Sequence, residues 1–166
     1  NSYSALPYLA RAGVVDAGSG PMPPDRSRIG PVLVWTAGSD SEALPMALSM
    51  LGLRVRVFDS HDDSIDSQDL TKLLEMFDAL VDAPLTPAAL AAATNSASAR
   101  FLIEHNAATR FRIDIDRLPS SRMVILSPSN LAVGSWEPLC ALLDLAKPID
   151  CFPGGARCSL RLLREV

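Results

Sequence analysis

From residue 31 onward the chain alternates short apolar runs with longer amphipathic stretches. Pro31-Val32-Leu33-Val34-Trp35-Thr36 is almost continuously apolar, the pattern of a strand buried on both faces. A small polar loop follows over 37–42, and residues 44–51 read as a helix closed by Gly52. Leu53-Arg54-Val55-Arg56-Val57-Phe58 alternates as the next strand, and the acidic stretch 59–64 as a loop. Asp66 or Ser67 then caps an amphipathic helix with Leu70, Leu73, Leu74 and Phe77 on one stripe.

Ala79-Leu80-Val81 predicts a short strand, followed by the turn Asp82-Ala83-Pro84. Thr86 as N-cap and Pro87 at the first helical position start a helix that continues to Ala93. Residues 97–108 predict a further helix. Residues 110–117 alternate charge and hydrophobe as an edge or hairpin strand does. Arg122-Met123-Val124-Ile125-Leu126-Ser127 is an apolar strand. Ser135 caps a last helix, with Pro138 in its first turn and Trp136, Leu139, Leu142 and Leu143 turned inward. Strands alternating with helices predict right-handed βαβ units: a three-layer α/β domain with a short, mainly parallel sheet of four or five strands. No internal repeat is visible.

Residues 1–30 have another texture. A short apolar helix fits Tyr3 to Val15, whereas Ala17 to Gly30 holds three Gly, three Pro and two Ser and reads as loop or extended arm. The expected organisation is an arm over 1–30 and an α/β domain over 31–166. An arm carrying Tyr3, Leu6, Tyr8 and Leu9 packs either on its own domain or on a neighbour, and the 1–20 segment is a candidate protein-binding element.

With 166 residues and 48% hydrophobic content the chain can bury one core. Net charge of −4 and a pI near 5.1 argue against a nucleic-acid-binding face. Arg157, Arg161 and Arg164 fall at helical spacing and read as a solvated face. Cys140, Cys151 and Cys158 are odd in number and lack CxxC spacing, which predicts reduced thiols and neither disulfides nor a zinc site. A reducing, intracellular compartment follows. The absence of an initiator Met suggests processing, with a mitochondrial destination as one option. No apolar run approaches the ~20 residues of a membrane span.

In an α/β domain the loop after the first strand holds phosphates through backbone N–H groups, a helix start and a Lys or Arg. Here that loop carries no basic residue, and Asp40 and Glu42 stand where an anion would sit. Ser39-x-x-Glu42 fits a capping box, in which the protein's own Glu satisfies the orphan amides. Pro45 removes a further N–H near the helix start. His61, flanked by Asp59, Asp62 and Asp63 at the expected carboxyl end of the sheet, is one catalytic candidate; a solvated acidic loop is the plainer reading. Asp82 is the other, matching a carboxylate of the family resemblance given below, and a turn-capping Asp explains it equally well. His105, in the predicted 97–108 helix, reads as a surface or structural histidine.

Four segments in order resemble the P-loop sulfotransferase family, in its single-domain fungal, protist and bacterial branch. They are the helix end Leu48-Ser49-Met50-Leu51-Gly52 (LEKLG in the family) and Phe77-Asp78-Ala79-Leu80-Val81-Asp82-Ala83-Pro84 (YDAVxDxP). Met123-Val124-Ile125-Leu126-Ser127 follows (KVILTVRD), then Trp136-Glu137-Pro138-Leu139-Cys140 with Phe152-Pro153 (WEPLC…PFP). The resemblance implies the sulfate donor PAPS, with its 5′-phosphosulfate at the first loop and its 3′-phosphate on an Arg and Ser after the third segment. Carried across, the family's first-loop residues fall on Gly38, Ser39, Asp40, Ser41, Glu42 and Ala43, and the Arg-Asp of its second motif near Ser129 and Asn130. Both cations are replaced, and most of the family's body before WEPLC is missing. The resemblance therefore implies a catalytically degenerate, shortened sulfotransferase-like domain without cofactor, acting as a structural or interaction subunit of a larger assembly. Two alternatives remain open. One is an active PAPS-dependent enzyme with cations from Arg54, Arg122 or a partner; the other is a small-anion or nucleotide-binding module.

Overall fold

The computed structural model describes residues 2–3, 29–37, 43–127, 136–149 and 152–153. Strand β1 (Ser2–Tyr3) lies far from β2 (Val32–Trp35) in sequence. Then come α1 (Ala43–Met50), β3 (Val55–Val57), α2 (Ser67–Met76), β4 (Ala79–Val81), α3 (Pro87–Asn95), β5 (Arg100–Glu104), α4 (Ala107–Phe111), two 3₁₀ turns (Ile115–Arg117 and Ser120–Arg122), β6 (Met123–Leu126) and α5 (Glu137–Leu143). The sheet order is β1-β3-β4-β2-β5-β6. The five strands from β3 to β6 are all parallel, and β1 joins the β3 edge antiparallel.

This order explains the three layers. The chain steps one way from β2 to β3 and the opposite way from β3 through β4 and β5 to β6. Right-handed crossovers then send α1 to one face and α2, α3 and α4 to the other. Val32, Val34, Val55 and Val81 meet Leu44, Leu48 and, from α5 and its N-cap, Leu139, Leu143 and Trp136 in one core. Leu33, Trp35, Leu80, Phe101 and Ile103 meet Leu70, Ala89, Ala93 and Ala107 in the second. Every residue of β2 and β4 is buried, as strands covered on both faces must be.

The local signals of the sequence are seen at work. Asp66 accepts from the N–H groups of Gln68 and Asp69 at the start of α2, and Thr86 accepts from Ala89 at the start of α3. Helix α1 ends with Gly52 at φ 88°, the Gly52 N–H donating to Ser49 and the Leu53 N–H to Leu48. Trp136 is buried and meets Phe152 edge-on at 5.0 Å between ring centroids. Core packing reaches back to Ile29. Gly30 follows at φ 67°, so close to the Ser98 carbonyl that a Cβ would lie 2.3 Å from its oxygen.

Two sequence expectations are corrected. Residues 97–108 do not form a helix: Arg100–Glu104 is the strand between β2 and β6, because Phe101, Leu102 and Ile103 fill both cores at once. Residues 110–117 do not form a strand. Arg110 belongs to α4, Arg112 at φ 54° ends it, and a 3₁₀ turn follows, with Ile113 and Leu118 supplying the buried contacts. Within the expected 3–15 helix, Tyr3 lies in β1 and the remainder lies outside the described residues, as do Ser135, Cys151, Cys158 and the three C-terminal arginines. Cys140 is a buried free thiol whose pKa burial pushes up.

Candidate functional site at the carboxyl end of the sheet

The strand order reverses at β2, so the crevice between the β4 and β5 loops is where ligands of open α/β sheets collect. Thr36 and Ala37 leave β2 into this crevice. The Thr36 N–H donates to Asp82 Oδ1 at 2.7 Å, and the Thr36 hydroxyl donates to Asp82 Oδ2 at 2.6 Å. From the other side, the Ala37 N–H donates to Glu104 Oε2 at 2.6 Å. Two neighbouring strands thus each place a carboxylate on one of the first two loop amides. Thr36 and Glu104 are both buried.

Asp82 is aimed by its backbone. It sits at φ 57°, a left-handed conformation that Asp tolerates better than most residues, and its own N–H donates to Val34 O at 2.8 Å. Burial pushes its carboxyl above the ordinary range, opposed by the two Thr36 bonds and by the Arg110 charge. Glu104 is the last residue of β5, where strand alternation turns it from the Ile103 side toward Ala37. Arg110, on α4, reaches back so that Nη1 donates to Thr36 O at 3.3 Å, with its guanidinium 4.9 Å from the Phe111 ring centroid.

Of the predicted site residues, Asp82 is in this cluster. His61 is exposed in the turn after β3, where its N–H donates to Asp59 Oδ1, and it lies two strands away from β2. His105 is not helical; it follows β5 directly and is exposed. Ala43 opens α1, whereas Gly38, Ser39, Asp40, Ser41 and Glu42, and Ser129 with Asn130, lie outside the described residues.

The two arginines offered as replacement cations lie elsewhere. Arg54 precedes β3 and grips Asp78 through Nε at 3.0 Å and Nη2 at 2.9 Å. Arg122 precedes β6 and donates to the carbonyls of Thr94, Ser96 and Ala99. Both sit at the amino end of the sheet, opposite the crevice.

Thr36, Glu104 and Arg110 were missed in the sequence. Glu104 fell in the misread 97–108 helix and Arg110 in the misread 110–117 strand; for the first, Phe101-Leu102-Ile103 was the available signal, since a run of three large apolar residues also marks β2. Among the described residues, no group of three or more His, Cys, Asp or Glu is arranged to hold a metal ion. No described helix is long and apolar enough to cross a membrane. No protein-family model, curated protein or solved structure matches this chain.

Proposed function

We propose that the chain is a sulfotransferase-like α/β domain that has lost PAPS binding and serves as a structural or interaction subunit. The observation carrying this reading is the pair of carboxylates, Asp82 and Glu104, on the Thr36 and Ala37 amides. An incoming phosphate at the start of this loop displaces one or both, or sits beside them. Each charge-assisted bond is worth roughly 1.5–3 kcal/mol, so the competition lowers affinity by about two orders of magnitude or more.

Arg54 and Arg122 support the same reading by being engaged at the far end of the sheet. Placement of the family's second motif does not alter it. After β6 the positions are Ser129 and Asn130; after β5, which lies directly beside β2, they are His105 and Asn106. Neither offers an arginine.

Calorimetric titration of the purified chain with PAP tests the proposal. The expected result is no heat of binding at sub-millimolar PAP and no sulfate transfer to phenolic or amine acceptors. Micromolar affinity that disappears in Arg110→Gln overturns it. Arg110 also gives the small-anion alternative a specific observation, since among the described residues it is a cation placed beside the loop start. A parallel phosphate titration of the same two proteins separates that case.

A further inference from the structure

A cavity of about 300 Å³ opens at the amino end of the sheet, between the starts of β5 and β6 and the last turn of α5. Two guanidinium groups line it, and both are held by backbone carbonyls before any ligand arrives. Arg122 spends Nη1 on Ser96 O and Ala99 O and Nη2 on Thr94 O. Arg100 spends only Nη1, on Leu142 O at 2.5 Å. Its Nε–Nη2 edge, the fork that grips a carboxylate with two parallel bonds, has no acceptor among the described residues. A guanidinium already pinned at one nitrogen loses little rotamer freedom on binding, so the fork is preorganised. Ser98 and Ser121 add hydroxyl donors to the same cavity, and Ala141 and Leu142 of α5 give it an apolar wall.

Charge decides which anion fits. Asp144, which ends α5 at φ 55°, also lines the cavity and pairs with no cation among the described residues. Two guanidinium groups against one carboxylate leave the described lining a surplus of one positive charge. A singly charged ligand neutralises that surplus, whereas a dianion exceeds it and meets Asp144. The carbonyls around the two guanidinium groups act in the same direction. We propose that this cavity binds a small aliphatic monocarboxylate, its two oxygens on the Arg100 Nε–Nη2 edge and its alkyl part on the Ala141–Leu142 wall. The site lies across the sheet from the Thr36 crevice and does not depend on the function proposed above.

Butyrate titrated into the isotope-labelled full chain, followed by amide NMR shifts, tests this. The expected result is saturable shifts confined to the starts of β5 and β6 and the end of α5, with a Kd in the millimolar range. Butyramide, the same shape without the charge, gives none, and sulfate, a dianion, gives none at matched ionic strength. Arg100→Lys keeps the charge but loses the fork, and is expected to weaken butyrate by about tenfold or more. Arg54→Gln, whose parent side chain grips Asp78 away from the cavity, leaves butyrate binding unchanged. Asp144→Asn tests the charge argument by gain. Asn tolerates the left-handed φ, butyrate binds about two- to fivefold tighter, and sulfate then shifts the same amides.

The absence of saturable shifts at tens of millimolar butyrate overturns the proposal, as does a response that butyramide or Arg100→Lys reproduces in full. Sulfate binding to the parent chain as tightly as butyrate, or an equal loss of butyrate in Arg54→Gln, also overturns it. Should Arg100→Lys fail to fold, Asp144→Asn decides, since an unchanged butyrate affinity there removes the charge argument. A response to PAP maps to the opposite end of the sheet, so the two readings fail separately.

Discussion

The two ends of the parallel sheet use charge in opposite ways. At the amino end, arginines serve the fold. Arg54 clamps Asp78, Arg100 donates to the Leu142 carbonyl in the last turn of α5, and Arg122 gathers the carbonyls at the end of α3. Cations at helix C-termini satisfy orphan carbonyls and oppose the negative end of the dipole. At the carboxyl end, where a ligand-binding domain of this topology keeps free amides and a cation, Asp82 and Glu104 satisfy the amides, and Arg110 donates to a backbone carbonyl. Both ends are stabilised by internal partners. The difference teaches that first-loop amides of such a sheet need acceptors, and that side chains at the ends of the neighbouring strands supply them here.

Trp136 belongs to neither end and sets the scale for both. It is 2% exposed and, with Phe152 against it, it joins α5 to the core shared with α1. Trp136→Ala is expected to cost about 3–5 kcal/mol, read as a large fall in Tm and in the denaturant midpoint. An unchanged Tm would mean that α5 is dispensable, and that the ends of the sheet rather than its faces carry the stability.

Legibility in the sequence also divided the molecule. Four of the five parallel strands were readable because an apolar or alternating run was bounded by a turn signal. Examples are Gly52 before β3 and Asp82-Ala83-Pro84 after β4. β5 was not readable. Its flanks, Ala97-Ser98-Ala99 and Ala107-Ala108, are as compatible with helix as with loop, and a run of five residues offers too little periodicity to arbitrate. That error removed Glu104 from the end of a strand, the separate reading of 110–117 as a strand removed Arg110 from its helix, and with the two went half of the candidate site. Asp82 was singled out by its place in the segment that resembles YDAVxDxP, and turn chemistry alone accounts for an Asp at that position equally well.

The amino end is broken most sharply through Asp78. Its carboxylate accepts from the Arg54 backbone N–H at 2.8 Å as well as from the guanidinium, and its side chain is only 12% exposed, against 42% for Arg54. Removing the acceptor orphans a backbone donor; removing the cation leaves that bond in place. Asp78→Ala should therefore cost about 2–3 kcal/mol and Arg54→Ala about 1 kcal/mol or less, measured by urea denaturation. Equal losses would show that the ion pair, rather than the backbone bond, is what the amino end uses.

The carboxyl end gives the smaller and more informative effects. Asp82→Ala leaves the Thr36 N–H and hydroxyl without their acceptor, at a cost of about 2 kcal/mol. Asp82→Asn keeps an oxygen for the N–H and tolerates the left-handed φ, and it should lie within about 1 kcal/mol of the parent chain. The pH dependence sharpens this. Burial holds the folded Asp82 pKa above its unfolded value, so between the two the native state keeps a proton that the unfolded chain has released. The stability contributed by this group is then full below the unfolded value near 4 and is lost as pH rises through the folded one. Asp82→Asn does not titrate. Across urea midpoints taken from about pH 3 to pH 7, the parent chain should lose stability relative to the variant as pH rises, then run parallel to it. The opposite slope would mean that the Thr36 bonds and Arg110 outweigh burial, leaving a carboxylate held for its charge, and the carboxyl end would then resemble the amino end in using charge to hold the fold.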